Sequence, residues 1–73
     1  MAATEWGNRV REYRRRQALT QAQLGAQVGV SRQSIVSIEG GNYSPSVYLA
    51  LRIAVVLGAA VEELFPLQEE ARR

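Results

Sequence analysis

The chain has 73 residues, with nine arginines against seven glutamates and a net charge of +2 at neutral pH. It contains no cysteine, histidine or aspartate, which excludes a disulfide, a zinc finger and thiol chemistry and leaves no acid/base pair suited to catalysis. We therefore expect one small domain over residues 1–73 that is not an enzyme and binds neither a metal nor a cofactor. No run of 18 apolar residues occurs and residues 1–7 lack a secretion-signal pattern, so we expect a cytoplasmic chain without a membrane span.

The charges are unevenly distributed along the chain. Residues 1–37 hold six arginines and two glutamates, whereas residues 38–73 hold three arginines and five glutamates. This distribution allows one half of the molecule to face a polyanion while the other half faces solvent or a partner.

Apolar periodicity, capping residues and glycine stops predict five helices. In chain order they cover about 5–17, 21–28, 32–39, 45–57 and 61–65. We expect Pro45 in the first turn of the fourth helix and a loose charged tail over 66–73. The prediction is an all-α, compact five-helix bundle.

Residues 20–40 have the pattern of a helix-turn-helix. Two short helices that cross steeply need a small residue where they approach most closely and a glycine at the corner. Gly25 and Gly29 occupy these positions, and a glycine inside a helix costs about 1 kcal/mol relative to alanine, which favours a packing reason for Gly25. Apolar residues at the spacing required to fill the wedge between the helices are Leu24, Val28, Val30, Ile35 and Ile38.

With these apolar residues turned inward, the third helix presents polar side chains outward, namely Arg32, Gln33, Ser34 and Ser37. Arginine can bind guanine, and glutamine adenine, through two hydrogen bonds in the major groove. The start of the second helix, at Thr20 and Gln21, has free N–H groups that favour a phosphate. The alternative is that these polar residues only form the solvated face of the helix. For Ser34 and Ser37 this alternative and base contact are equally supported.

These segments resemble the phage-repressor-like helix-turn-helix regulators of the Xre/Cro type. The resemblance covers about residues 8–65 and is carried by LTQAQL at 19–24, GVSRQSI at 29–35, IE at 38–39, YSPS at 43–46, LG at 57–58 and EELF at 62–65. It implies a lambda-repressor-like DNA-binding domain whose recognition helix, about 31–39, reads a double-stranded DNA operator. It also implies a transcriptional regulator, expected to repress, that binds a roughly palindromic operator as a homodimer with half-sites about 34 Å apart.

The resemblance also implies roles for individual residues. Arg32, Gln33 and Ser37 match base-contacting positions, and Ser34 lies among them. The expected phosphate contacts are Thr20, Gln21, Ser31, Asn42, Tyr43 and Arg15. Arg14 and Glu39 match a structural salt bridge between the first helix and the end of the third, although Arg14 could instead be a plain surface cation.

The chain departs from the family pattern at three positions. Gly40 and Asn42 stand where an asparagine and a basic residue are common, which implies weaker DNA binding or greater use of arginines 9, 15 or 16. Ala60 stands where a capping serine or threonine is usual, which implies that the fifth helix frays.

The fourth helix is apolar on nearly every side, whereas the surface helix of a small monomer should have a polar outer face. Its core face needs only residues 50, 53, 54 and 57. We expect the apolar side chains that the core does not need, together with those of the fifth helix and the tail, to form a homodimer surface. Its residues are Tyr48, Leu51, Val55, Val56, Phe65 and Leu67. The alternative is that this helix is central in the bundle and buried on most sides.

A second function from a different class is an antitoxin or adaptor that chiefly binds another protein, with secondary or no DNA binding. The apolar fourth helix and the missing loop cations favour it. A regulator should bind its own promoter DNA, whereas an adaptor should co-purify with a protein encoded nearby.

Overall fold

The computed structural model describes residues 7–67, and this part of the chain contains five α-helices and no strand. In chain order they are α1 Val10–Arg16, α2 Gln21–Val28, α3 Arg32–Glu39, α4 Val47–Leu57 and α5 Val61–Leu64. The predicted all-α bundle of five helices is confirmed. None of these helices is long and apolar enough to cross a membrane. The predicted tail over 66–73 lies mostly outside the described residues.

Every helix contributes apolar side chains to a single core. Its buried members are Val10, Leu24, Val28, Ile35, Ile38, Ile53, Ala54, Leu57 and Leu64. The inward positions predicted for the second, third and fourth helices are therefore confirmed, with Ala50 also buried and Val30 partly buried against the core.

The first helix is shorter than predicted, because the chain before it binds other helix ends. The Asn8 side-chain oxygen accepts the Val10 N–H at 3.1 Å, and its amide nitrogen donates to the Ile38 carbonyl at 2.7 Å. The backbone N–H of Arg9 donates to the Leu64 carbonyl at 2.8 Å. These bonds hold residues 8 and 9 against the ends of α3 and α5, so helix geometry begins only at Val10.

Local side chains start the next three helices, as capping residues predicted for α2 and α3. Thr20 Oγ1 accepts the Gln23 N–H at 3.0 Å and Gln23 Oε1 accepts the Thr20 N–H at 2.8 Å, a complete capping box for α2. Ser31 and Ser46 cap α3 and α4 in the same way, each accepting an N–H at 3.1 Å. Pro45 precedes the cap of α4, so its predicted place inside the first turn is wrong.

The start of α5 is held differently. Ala60 offers no side-chain acceptor, but Glu63 Oε1 accepts the Ala60 N–H at 2.8 Å, which is half of a capping box. This bond supplies part of the cap that Ala60 itself lacks. Phe65, predicted as the last residue of this helix, follows it as the C-cap.

The α2–α3 corner depends on two glycines. A Cβ on Gly25 would lie 2.7 Å from the Val30 carbonyl oxygen, so a side chain there would force the backbone apart. Gly29 has φ of +84°, a left-handed conformation that ends α2. The Gly25 carbonyl accepts the N–H groups of both Gly29 and Val30, at 2.8 and 2.9 Å. The roles predicted for both glycines are confirmed.

Candidate nucleic-acid interface

One side of α3 is buried and the opposite side faces solvent. Ile35 and Ile38 are fully buried, while Arg32 and Gln33 are exposed. We call the solvent side the outer face of α3. It consists of Arg32, Gln33, Val36 and Ser37. Val36 follows Arg32 by four residues and Gln33 by three, and Ser37 follows Gln33 by four, which are the spacings of neighbours on a helix surface.

Ser34 lies at the edge of this face. It is half-buried, and its hydroxyl lies 3.2 Å from the Ser31 hydroxyl at the start of the same helix. Ser37 is half-buried as well, so of the four polar residues predicted to read bases only Arg32 and Gln33 are exposed. Three belong to the outer face and Ser34 flanks it.

A single carboxylate joins α1, α2 and α3. The Glu39 side chain has no exposed surface and accepts hydrogen bonds from Arg14 Nε at 2.5 Å and Nη2 at 3.2 Å. Gln21 Nε2 and Arg11 Nε also donate to it, at 3.1 and 3.3 Å. Arg14, itself only 7% exposed, donates in addition to the Leu19 carbonyl at 2.8 Å. The structure thus brings Arg14 and Glu39 together, and Arg14 is not a plain surface cation.

These partners keep the carboxylate ionised. Burial opposes its charge, but hydrogen bonds from Arg14 and Gln21 and the positive charge of Arg14 outweigh that effect. The pKa of Glu39 consequently lies below its ordinary value of 4.5. At neutral pH the junction contains a buried anion with complementary donors around it.

Gln21 links this junction to the outer face of α3. Because its amide nitrogen donates to Glu39, its carbonyl oxygen is turned away from the carboxylate. Arg32 Nη1 lies 3.5 Å from that oxygen, at the long limit of a hydrogen bond. Gln21, which the fold already holds at Glu39, thus presents its carbonyl oxygen toward the guanidinium of Arg32 at the first turn of α3.

The residues predicted to contact phosphate are spread over three regions. Thr20 and Ser31 cap α2 and α3, and Arg15 is exposed on α1. Asn42 and Tyr43 are exposed in the loop that follows α3. Within residues 7–67, no side-chain hydrogen bond ties Arg15, Asn42 or Tyr43 to the outer face.

Sequence reasoning missed three residues. Asn8 holds the last turn of α3, Arg11 adds a second arginine to Glu39, and Val36 lies on the outer face. Arg11 stands three residues before Arg14 on the same side of a helix, a spacing that could have indicated it. Asn8 gave no comparable signal, because its partner is 30 residues away.

A family model described as a helix-turn-helix domain matches residues 5–67. An uncharacterised HTH-type transcriptional regulator of Methanothermobacter thermautotrophicus is 46% identical over 65 residues, 88% of this chain and 94% of the relative.

The chain is a helix-turn-helix transcriptional regulator of the Xre type.

Two further comparisons agree with this assignment. The regulator is 44% identical over 63 residues to the uncharacterised HTH-type regulator YgzD of Bacillus subtilis, over 86% of this chain and 96% of the relative. Its fold is similar to that of the restriction-modification controller protein C.AhdI from Aeromonas hydrophila, with a TM-score of 0.72 and 32% identity over 78% of this chain and 83% of the other.

The regulator has a second notable surface on α4 and α5. Four side chains of α4 are exposed to a degree unusual for their size: Val55 81%, Val47 78%, Tyr48 72% and Leu51 49%. Leu67, after α5, is 61% exposed. The alternative that this helix is buried on most sides is therefore wrong.

Two of the six residues predicted for a dimer surface behave differently. Val56 and Phe65 pack partly against the core of their own chain, so the prediction that Val56 is surplus to the core is wrong. An open apolar groove of about 870 Å³ runs between α4 and α5, and Val47, Leu51, Val55, Phe65 and Leu67 are among the residues that line it. We call these five residues the α4–α5 apolar surface.

Proposed function

We propose that the regulator binds double-stranded DNA sequence-specifically as a homodimer and represses transcription by occupying a roughly palindromic operator. The observation that supports this most directly is the outer face of α3. It presents two exposed side chains suited to base edges, Arg32 and Gln33, at the start of a helix whose other side is anchored in the core.

In this proposal the outer face lies in the major groove. Arg32 binds guanine and Gln33 binds adenine, each through two hydrogen bonds. Ser37 and Ser34 contact neighbouring base edges at shorter reach. The nearby Gln21 carbonyl oxygen supports the role of Arg32, because it offers the guanidinium an acceptor on the same side of the molecule as the outer face.

Backbone phosphates are bound by the residues that flank α3. We assign this role to Thr20, Gln21, Ser31, Asn42, Tyr43 and Arg15. Among the arginines of α1 and its N-cap, Arg9 and Arg16 both bind Glu12, and Arg11 binds Glu39. Arg15 forms no ion pair within residues 7–67, so it is the α1 cation best placed to compensate for the missing basic residue at position 42.

The partner of the α4–α5 apolar surface is a second copy of the chain. Exposed apolar side chains of this size on one helix are typical of an interface. A dimer of this kind would place two copies of α3 one helical turn of DNA apart, about 34 Å, so that each reads one half-site. We assign no catalytic step to the chain.

The same surface favours a second candidate function, an antitoxin or adaptor whose main partner is a different protein. In that case the apolar surface would hold the partner and DNA binding would be secondary or absent. The two candidates differ in whether purified protein alone selects a DNA sequence.

Selection of duplexes from a random pool by the purified protein tests the proposal. We expect enrichment of a two-fold symmetric sequence. Arg32→Ala should weaken binding to that sequence by about 1–3 kcal/mol and relax the preference at one base pair of each half-site.

Arg15→Ala is the matched control, because loss of a phosphate contact should weaken binding to all sequences alike and reduce the salt dependence by about one unit per site. A pool without any enriched sequence would contradict the proposal and favour the adaptor.

A further inference from the structure

Val36 is an apolar residue on the outer face of α3 that the core does not use. It is half-buried, yet it belongs neither to the buried core nor to the partly buried side chains that pack against it. The two isoleucines of the same helix, Ile35 and Ile38, are fully buried on the other side. Folding therefore does not account for a branched hydrocarbon at position 36.

Val36 lies next to the residues that are predicted to contact bases. It follows Arg32 by four residues and Gln33 by three, so it lies one turn beyond both on the same side of the helix. Ser37 is its neighbour in the chain, and Gly40, one turn further, adds no side chain to this side. The isopropyl group is thus surrounded by the side chains assigned to base contacts.

The chemistry of the major groove offers one apolar partner to such a group. Thymine carries a C5 methyl there, whereas the other base edges present hydrogen-bond donors and acceptors. A valine cannot satisfy a donor or acceptor, so a polar base edge beneath it would lose water without compensation. A thymine methyl would instead be removed from water together with the isopropyl group.

We propose that Val36 is a specificity-determining residue that contacts the C5 methyl of a thymine, one turn along α3 from the bases bound by Arg32 and Gln33. This inference rests on the proposed DNA-binding function. It adds an apolar selection to a recognition surface otherwise composed of hydrogen-bonding groups.

The test replaces each thymine of the selected operator in turn by deoxyuridine, in both half-sites, which removes the methyl and nothing else. The wild-type protein should lose about fourfold in affinity per half-site at one thymine, the factor that corresponds to one methyl group returned to water. For Val36→Ala, the affinity for the thymine operator divided by the affinity for the deoxyuridine operator should be near one at that position.

Val55→Ala is the matched control, because it removes the same atoms from an exposed valine of α4. This variant should retain the full ratio of thymine to deoxyuridine affinities, even if its absolute affinity for DNA changes. Thermal unfolding should show that both variants are folded. An operator that is indifferent to deoxyuridine at every thymine, or a Val36→Ala variant that keeps the ratio, would overturn this inference alone. A pool that yields no operator would overturn the proposed function with it.

Discussion

The carboxylate of Glu39 shows how much of the regulator depends on one side chain. It receives donors from α1 and α2 and stands at the end of α3, in a place without solvent. A buried ion pair adds little stability relative to a well-packed apolar contact, but removing one partner is costly because it strands the other charge. The value of the junction therefore lies in fixing three helices, and with them Gln21 and Arg32, in one arrangement.

We predict that the junction makes stability depend on acid pH. The pKa of Glu39 is lower in the folded than in the unfolded state, so its contribution is complete above about pH 4.5 and is lost as the pH falls through the folded pKa. Urea unfolding between pH 7 and 3 should show this fall. The Glu39 carboxyl carbon, followed by NMR, should titrate below 4.5, and a midpoint above that value would contradict the prediction.

At the scale of elements, the α2–α3 corner decides the geometry of the outer face. Gly25 allows α2 to approach the turn so closely that the Val30 carbonyl occupies the space of a side chain. The Gly29 conformation then sends the chain directly into the cap of α3. The angle at which α3 leaves the bundle is therefore set by two positions without side chains.

We predict that Gly25→Val destabilises the regulator by about 1–3 kcal/mol, because a branched side chain cannot fit against the Val30 backbone. This corresponds to a decrease in Tm of at least about 4 °C for a domain of this size. Ala26→Val is the matched control, since Ala26 is exposed on the same helix and the change costs only about 0.5 kcal/mol of helix propensity. Equal melting temperatures for the two variants would exclude the steric explanation.

At the scale of the whole molecule, the core and the α4–α5 apolar surface divide α4 between them. Ala50, Ile53, Ala54 and Leu57 are buried inside the chain, while the other side of the helix remains largely exposed. A chain this short buries a modest share of its surface on folding. Association through the exposed side would extend the apolar core across two copies.

We predict that Val55→Glu converts a dimer into monomers, because each subunit would place an unpaired charge in the interface. The dissociation constant should rise by at least about tenfold, measured by sedimentation at several concentrations. Ala26→Glu adds the same charge at an exposed position of α2 that does not line the apolar groove, and it should leave the mass unchanged. A Val55→Glu variant with the mass of the wild type would place the interface elsewhere.

The accuracy of sequence-based prediction follows from how local each signal is. The bounds of α2 and α3 depend on Thr20, Ser31 and Gly29, which act on neighbours within three or four residues, and they were predicted to the residue. The start of α1 depends on the bond between Asn8 and Ile38, which no local pattern reveals.

One feature of the fold and one of the site gave no recognisable signal in the sequence. Ala18 has φ of +58°, unusual for a residue other than glycine, and is followed by Leu19, whose carbonyl is held by Arg14. That conformation belongs to the local end of α1, where the Leu19 N–H donates to the Arg14 carbonyl at 3.2 Å, and it gave no signal in the sequence because such a position usually carries glycine. Val36 was missed because an apolar residue in an amphipathic helix is ordinarily counted as core, and only the structure places it outside the core.

The separation between the Glu39 junction and the outer face of α3 has a consequence for the divergence of related genes. Arg14 and Gln21 both donate hydrogen bonds to Glu39, so a replacement at any of these three residues is tolerated only with compensating replacements. Gln33, Val36 and Ser37 take no part in the core or in that junction. After duplication, a copy can therefore acquire a new target through two or three replacements on a single helix while its architecture is inherited intact.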